Sequence, residues 1–219
     1  MNNTYLEKYA HLIVKTGINL QLMQTLVISS PIECAPFTRL VAQKAYQEGA
    51  RDVVIQWRDE LFSKIRFLQA PEEVFEEFPE WQKEFHLSNV RQGAAFLSIS
   101  ASDPELMQDV NPERMIKAQK TSSSALHEYR ERLMSNKNVW SIVSIPTAAW
   151  AKKVFPTLSE KQAVDKLWET IFMTVRVDTD NPVTSWNVHK ANLKTKINFL
   201  NSCAFKSLHY KNSLAPICK

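Results

Sequence analysis

The strongest constraint on the fold is a strand–helix–strand order in the first quarter of the chain. The β-branched run QTLVISSP (24–31) predicts a strand that ends at serine and proline. The segment CAPFTRLVAQKAYQEGA (34–50) predicts a helix that ends at Gly49, and RDVVIQW (51–57) predicts a second strand. This order forms a βαβ unit, which favours a parallel sheet covered by helices.

The remaining sequence extends the same alternation of strands and helices. AAFLSIS (94–100) and VWSIVSIP (139–146) predict a third and a fourth strand, and SLHYK (207–211) predicts a last strand with no partner after it. Helices are predicted over 6–18, in short pieces over 60–91 divided by Pro71 and Pro79, and over 112–135, 147–156, 158–175 and 182–201. We therefore predict an α/β fold, with a mostly parallel sheet, helices on both faces and a helix-rich C-terminal third.

Composition excludes several functional classes. The 219 residues include only three glycines, too few for a Gly-rich phosphate-binding loop. The net charge of +4 comes from dispersed basic residues, so we expect no nucleic-acid partner. No apolar run reaches bilayer length and the N-terminus lacks a signal-peptide core, so we expect no membrane partner. Three cysteines without CxxC spacing fit a reducing compartment, which predicts a soluble, cytoplasmic protein.

The histidines show no metal-binding pattern. No HExxH motif occurs, and no two histidines share a helical turn. His189 follows Trp186 by three residues on a predicted helix, so we expect a histidine that packs on an aromatic ring or lies on the surface. The residues concerned are His11, His86, His127, His189 and His209.

Carboxylates suggest two further candidates, each with a structural alternative. Asp178 and Asp180 could bind a cation or activate water, which would make a hydrolase site, whereas Asp180 or Asn181 before Pro182 is also an ordinary helix cap. We favour the cap. An acidic stripe beside Phe75 and Phe78 is expected to be a solvated helix face; its members are Glu72, Glu73, Glu76 and Glu77.

Nucleophile candidates are equally weak. Cys34 precedes a helix whose dipole would lower the pKa of the thiol, but no neighbouring base is visible and an inert thiol is favoured. Three serines (122–124) lie before His127, which is poor evidence for a triad because a triad is recognised by spatial geometry. The residues alone therefore assign no catalytic and no metal-binding residue, and the substrate-binding residues stay unassigned.

Several stretches together resemble one family. They are YAHLIVKTGINLQ, SPIECAPFTRLVAQKAYQEGARDVVIQW, PEW, ERMIKAQK, WSIVSIPTAAWAKKVFP, AVDKLWETIFMTVRVD and LHYK. In this order they are similar to the N-terminal half of the thermophilic-type metal-dependent aminopeptidases, the family that includes aminopeptidases T, II and S. The resemblance runs from Tyr9 to about Lys211.

The resemblance implies an enzyme that releases N-terminal amino acids from peptides with a pair of divalent metal ions, of zinc, cobalt or magnesium type. Such a pair polarises the scissile carbonyl and lowers the pKa of a bridging water. It also implies peptide substrates and a homodimer when full length, in which the N-terminal domain helps to enclose the catalytic cavity. The family's metal ligands lie in its C-terminal half, and none of the five histidines here matches a ligand position. We therefore expect this chain to bind no metal and to be inactive alone.

The C-terminal residues depart from the family pattern. After LHYK the family continues with a Gly-Thr-Asp-Leu type strand, whereas this chain reads NSLAPICK and stops. We therefore expect residues 1–205 to form the N-terminal α/β domain and 206–219 to be the start of a truncated catalytic domain with a divergent tail. The alternative is a non-catalytic interaction module or retained half-gene product, since an unpaired strand at 207–211 would recruit another chain.

Overall fold

The computed structural model of the chain describes residues 3–101, 103–212 and 215–218. Within these residues, four strands form a sheet with the order β2-β1-β3-β4: β1 (Thr25–Pro31), β2 (Asp52–Arg58), β3 (Ala95–Ser100) and β4 (Trp140–Ser144). Every neighbouring pair is parallel, and Ile28 of β1 lies opposite Ile55 of β2 and Leu97 of β3. The predicted α/β fold with a parallel sheet is confirmed.

Helices cover both faces of this sheet. They are α1 (Asn3–Leu12), α2 (Ala35–Gln47), α3 (Glu60–Gln69), α4 (Glu80–Arg91), α5 (Pro112–Ala125), α6 (His127–Met134), α7 (Ala148–Val154), α8 (Glu160–Thr174) and α9 (Pro182–Ser202). Short 3₁₀ turns occupy Ile32–Cys34 and Glu72–Phe75, and a π-helical turn, Ile13–Gly17, follows α1. The helix-rich C-terminal third is thereby confirmed, because α7, α8 and α9 follow β4 without another strand of the sheet.

Local sequence explains where the helix of the βαβ unit ends. Gly49 has a φ of +89°, which side chains with a Cβ adopt only at a cost. The amide of Gly49 donates to the carbonyl of Tyr46 (3.0 Å), and the amide of Ala50 donates to the carbonyl of Ala45 (2.9 Å). These two bonds are the Schellman arrangement that satisfies the last carbonyls of a helix. The predicted helix end at Gly49 is confirmed.

The larger core lies between one sheet face and helices α1, α2 and α8. Leu26, Ile28 and Leu97 supply the sheet side of this core. On the helix side, Trp168 and Phe172 stack with ring centroids 5.0 Å apart. Side chains of this size contribute roughly 1.5–3 kcal/mol each when they are fully buried. This core therefore anchors the helices that frame the cavity described below.

A smaller core covers the opposite face. Val27 and Phe96 point to this face, because side chains alternate along a strand. They pack against Val90 of α4 and Leu133 of α6. The buried side chain of Asn138 donates to the carbonyls of Val90 (3.0 Å) and Ala94 (2.9 Å). These bonds fix the chain segment that leads into β4.

Two sequence expectations were wrong. The helix predicted over 112–135 is two helices, because Leu126 has φ −102° and ψ 25° and α6 starts anew at His127. Leu126 is buried, so tertiary packing turns the chain at a point where the sequence has no helix breaker. The last strand is not unpaired: β5 (Tyr210–Asn212) pairs antiparallel with β6 (Ala215–Cys218), and Ser207 lies outside the strand.

None of the helices in the described ranges is both long and apolar enough to cross a bilayer. The domain boundary expected near residue 205 stays a prediction. It falls in the segment between the end of α9 at Ser202 and the start of β5 at Tyr210.

Candidate functional site

A cavity of about 600 Å³ lies beside β4. Its walls come from α1, the π-helical turn, α7, α8 and α9, and we call it the β4 cavity. The lining is mainly apolar and includes Leu12, Ile13, Ile142, Trp150, Ile171 and Trp186. Ligand sites in proteins have volumes in this range and are mostly apolar with few polar groups. The β4 cavity is therefore the first candidate for a functional site.

The π-helical turn shapes one wall of the β4 cavity. The amide of Ile18 donates to the carbonyl of Ile13 at 2.8 Å, a bond that spans five residues instead of four. This wider turn brings Thr16 and Gly17 into the lining, beside Ser141 of β4. A Cβ added at Gly17 would lie 3.5 Å from the Ser141 hydroxyl oxygen, so the two elements approach closely. Turns of this kind occur often at functional sites.

Tyr9 supplies a polar group to the otherwise apolar wall. Its hydroxyl donates a hydrogen bond to the carbonyl of Ser144, 3.3 Å away. Burial raises the pKa of Tyr9 and the hydrogen bond to Ser144 offsets part of this rise, so that the pKa is about 12. Tyr9 is therefore a neutral donor at physiological pH and does not supply a charge. Lys190, on α9, is the charged residue that reaches the cavity lining.

A second cavity, of about 560 Å³, opens at the carboxyl ends of the strands. Glu33 and Cys34, which follow β1, line it together with Trp168 of α8. Ligands often bind at this edge of an open parallel sheet. Arg58, at the end of β2, donates from Nη2 to the carbonyl of Ile99 at 2.6 Å, while its buried Nε has no partner among the described residues.

Cys34 has the properties of an inert thiol. Its pKa is raised to about 11, mainly by burial and also by the carboxylates of Glu33 and Glu60, while Arg58 acts in the opposite direction. The pKa is raised although Cys34 directly precedes α2. At neutral pH the group is a thiol, which is a poor nucleophile. The structure therefore supports the inert interpretation and gives no support to an activated cysteine.

The histidines lie apart from one another. His11 pairs with Glu48 at 3.2 Å, His86 packs between Phe85 and Tyr129, and His127 and His209 are exposed. In the part of the chain that the structure describes, no three His, Cys, Asp or Glu side chains converge as metal ligands would. The described residues therefore do not fit the metal pair that the family resemblance implies.

His189 has the aromatic neighbour that its sequence position predicts. Its ring meets Trp186 edge to face at a centroid distance of 5.4 Å. Arg176 lies 3.1 Å from Nδ1 of His189 and also faces the Trp186 ring at 5.9 Å. Trp186 in turn donates from Nε1 to the carbonyl of Val175 at 2.7 Å. This group fixes the start of α9 beside the β4 cavity.

The first acidic candidate lies directly before the cap of α9. Asp178 and Asp180 are exposed, and the side chain of Asn181 accepts from the amide of Thr184 at 3.1 Å, which caps α9. The capping interpretation is confirmed for Asn181. In the acidic stripe, Glu72 forms ion pairs with Arg114 and Lys117. Hydrogen bonds and charge from Lys117 and Arg114 lower the pKa of its carboxyl.

The remaining acidic and serine candidates also form no site. Glu73 and Glu77 are exposed, and Glu76 pairs with Lys117 at 2.9 Å. Ser123 donates to the carbonyl of Gln119 and accepts from Arg130 at 2.6 Å. His127 is exposed beyond the break between α5 and α6, so these serines form no triad with it.

Sequence reasoning missed the residues that line the β4 cavity. The sequence places Tyr9 in the helix predicted over 6–18 and Ile142 in the strand predicted over 139–146, without linking the two. The aromatic residues Trp150 and Trp186 follow the edge strand at intervals that carry no local signal of a shared site. One indirect indication of the cavity is the order of the elements. Three helices follow β4 in the described residues and no strand joins the sheet beside it, so the outer edge of β4 stays open to those helices.

Comparisons with known proteins agree with this architecture. A family model described as thermophilic metalloprotease (M29) matches residues 2–215. Aminopeptidase 2 of Geobacillus stearothermophilus is 45% identical over 206 residues, and aminopeptidase AmpS of Bacillus subtilis is 39% identical over the same length. Both matches cover 94% of this chain and 50% of the relative, so the chain spans about half the length of the curated relatives it matches.

A solved structure shows the same fold. Wild-type AmpT from Thermus thermophilus superposes with a TM-score of 0.87 at 36% sequence identity, over 95% of this chain and 51% of that chain. The expected family is thereby confirmed. From the match over nearly its whole length, the chain belongs to the thermophilic metalloprotease family M29.

Proposed function

We propose that this chain functions within a metal-dependent aminopeptidase, an enzyme that releases N-terminal amino acids from peptides with a pair of divalent metal ions. The observation that carries the proposal is the family match over residues 2–215, together with relatives named as aminopeptidases at 36–45% identity. The superposition on AmpT supports it, because fold and sequence agree along the same stretch.

Within such an enzyme, this chain supplies the α/β domain and not the metal ligands. Support comes from the five dispersed histidines and from the lack of converging ligands among the described residues. The chain corresponds to half of each relative, so the ligands are expected in the sequence that corresponds to the other half. The chain alone is therefore expected to hydrolyse no peptide. A cytoplasmic location and a homodimer of the full-length protein belong to the same proposal.

The first test uses the purified 219-residue protein. We expect no release of nitroaniline from an aminoacyl nitroanilide in the presence of Zn²⁺, Co²⁺ or Mg²⁺, and no stoichiometric metal by mass spectrometry. Turnover that chelation removes and added metal restores would show that the ligands lie in this chain after all.

A chimera tests the activity itself. Residues 1–211, where the family resemblance ends, are fused to the half of the Geobacillus aminopeptidase 2 that the match does not cover. We expect metal-dependent release of N-terminal residues, with that unfused half as the control. A folded chimera that binds metal but releases nothing would contradict the proposed function.

A non-catalytic interaction module is the second candidate. The observation that favours it is α9, whose residues 190–202 are all exposed and include Ile197 (54%) and Phe199 (65%). Light scattering of the chain with and without the separately expressed Geobacillus half would test it. A chain that stays monomeric and does not bind that half would count against this candidate.

A further inference from the structure

β4 presents a free backbone edge. On its inner side, the carbonyl of Val139 accepts from Phe96 at 2.9 Å and the amide of Ile145 donates to Ser100 at 3.0 Å. Backbone groups two residues apart in a strand point the same way. The amide and carbonyl of Ile142 therefore point outward, away from β3. The bond from the Tyr9 hydroxyl to the Ser144 carbonyl lies on this outer side as well.

The sequence and the pairing of β4 do not protect its outer edge at Ile142. Within residues 3–101, 103–212 and 215–218, no hydrogen bond reaches the backbone of Ile142, and its side chain is 60% exposed. Edge strands are commonly blocked by proline, lysine, a bulge or a covering helix. The sequence of β4, WSIVS, has no proline and no charge, and its pairing with β3 is regular.

The β4 cavity runs along the same edge. Four consecutive residues, 141–144, line it. Because consecutive side chains point to opposite faces of a sheet, the cavity must lie along the edge of the strand and not on one face. A strand added beside β4 would direct alternate side chains to one face of the sheet. On the face that α8 covers, those side chains would meet Leu12, Ile171 and Trp186. The cavity is therefore placed to accept an apolar side chain of an added strand.

The positive charge of α9 favours an added strand that carries a carboxylate. Lys190 lines the cavity, and the ion pairs among the described residues do not include it. Helix α9 carries Lys190, Lys194 and Lys196 and no acidic residue. An incoming segment with a carboxylate near Lys190 would be attracted. A second copy is disfavoured, because symmetrical pairing through β4 would bring two lysine-rich α9 helices to the same interface.

We propose that the outer edge of β4 binds an extended peptide by strand addition, with an apolar side chain in the β4 cavity and a carboxylate near Lys190. Main-chain hydrogen bonds to Ile142 give affinity, and the cavity selects the side chain, as in other sites where a peptide extends a sheet. The proposal concerns binding by this chain and does not depend on hydrolysis. Its failure would leave the proposed aminopeptidase function intact.

The test measures binding of a fluorescein-labelled peptide of alternating threonine and valine that ends in a free glutamate. Anisotropy is recorded with the purified chain. The matched control peptide carries an N-methyl group on every threonine and valine, which removes the amide donors from both edges of the peptide. We expect saturable binding of the first peptide and binding at least about tenfold weaker for the second, since a tenfold change corresponds to one or two hydrogen bonds.

Variants of the chain localise the site. Ile142→Pro removes the outward amide while the inner pairing through Ser141 and Val143 remains, and proline is tolerated on the solvent side of an edge strand. We expect at least about a tenfold loss of affinity, whereas Ile142→Thr, which keeps the amide but shortens a side chain in the cavity lining, should lose clearly less. Lys190→Gln should weaken binding of the free-acid peptide to the level of the same peptide ending in glutamine amide, which has no carboxylate.

Several results would overturn the proposal. One is equal binding of the N-methylated peptide, and another is unchanged affinity of a folded Ile142→Pro. If that variant does not fold by circular dichroism, Thr174→Trp, which fills the cavity from α8, takes its place, and unchanged affinity there has the same meaning. A dimer in light scattering that Ile142→Pro dissociates would assign the edge to a second copy instead.

Discussion

The hydroxyl of Tyr9 donates to the carbonyl of Ser144, and this bond connects the first helix to the outer side of the last strand of the sheet. The two residues are 135 positions apart in the sequence. Tyr9 is 3% exposed and its ring lies 5.4 Å from that of Phe37. The bond therefore forms inside the packed core and marks one end of the free edge of β4.

Replacement of Tyr9 by phenylalanine should have a moderate effect on stability. The ring contact with Phe37 remains, but the Ser144 carbonyl loses its donor. We expect the free energy of unfolding to fall by about 0.5–1.5 kcal/mol, measured by urea denaturation. Tyr5→Phe is a control for loss of a tyrosine hydroxyl near the same Phe172 ring. A Tyr9→Phe variant as stable as the original would show that the bond contributes nothing.

Gly49 and Gly93 form a matched pair for measuring backbone strain. Both have positive φ, +89° and +80°. A Cβ at Gly49 would lie 2.5 Å from Cδ1 of Leu22, whereas a Cβ at Gly93 would meet nothing within 4 Å. We expect each alanine variant to lose about 1–2 kcal/mol through φ alone.

The contact with Leu22 should add little to the loss of unfolding free energy in Gly49→Ala. Leu22 is 80% exposed, so its side chain can rotate away. We therefore expect the two variants to differ by less than about 1 kcal/mol in urea denaturation. A much larger loss in Gly49→Ala would mean that Leu22 is held in place.

His86 should make stability depend on pH near neutrality. Burial lowers the pKa of its imidazole below the usual value of 6.5, so the unfolded chain binds a proton first as the pH falls. The contribution of His86 is therefore complete above about pH 6.5 and is lost as the pH falls from there toward the lower, folded-state pKa.

The variant His86→Phe separates this effect from packing. Phenylalanine keeps the ring contacts with Phe85 and Tyr129, which lie at 5.3 and 5.0 Å from the imidazole, but does not titrate. We expect a smaller loss of unfolding free energy between about pH 7.5 and 5.5 than in the original chain. Carboxylates titrate at lower pH and do not obscure this window. Identical slopes for the two chains would contradict the prediction.

Cys34 should resist alkylation in the folded chain. Its pKa of about 11, against an ordinary 9.0, leaves about a hundredfold less thiolate near neutral pH, and the side chain is buried. Cys203 is exposed. With iodoacetamide and peptide mass mapping, we expect Cys203 to be labelled well before Cys34, and both equally in urea. Early labelling of Cys34 would show that the thiol is activated.

Much of the fold follows from local sequence. The strand β1, the helix α2 and its end at Gly49 were predictable, because apolar periodicity and the φ preference of glycine act within a few residues. The cap of α9 was predictable for the same reason, since Asn181 and Thr184 are three positions apart. The break at Leu126 was not, because it depends on the tertiary burial of the Leu126 side chain and not on a local helix breaker.

By itself, the sequence determined the order of strands and helices, and its family resemblance pointed to the aminopeptidases that the comparisons then supported. Only the tertiary structure decided where a ligand could bind. Tyr9, Ile142 and Trp186 line one cavity although they come from a helix, an edge strand and a later helix. No local sequence pattern predicts that these three residues share a cavity. The cavity arises because α1, α8 and α9 pack around the side of β4 that has no neighbouring strand.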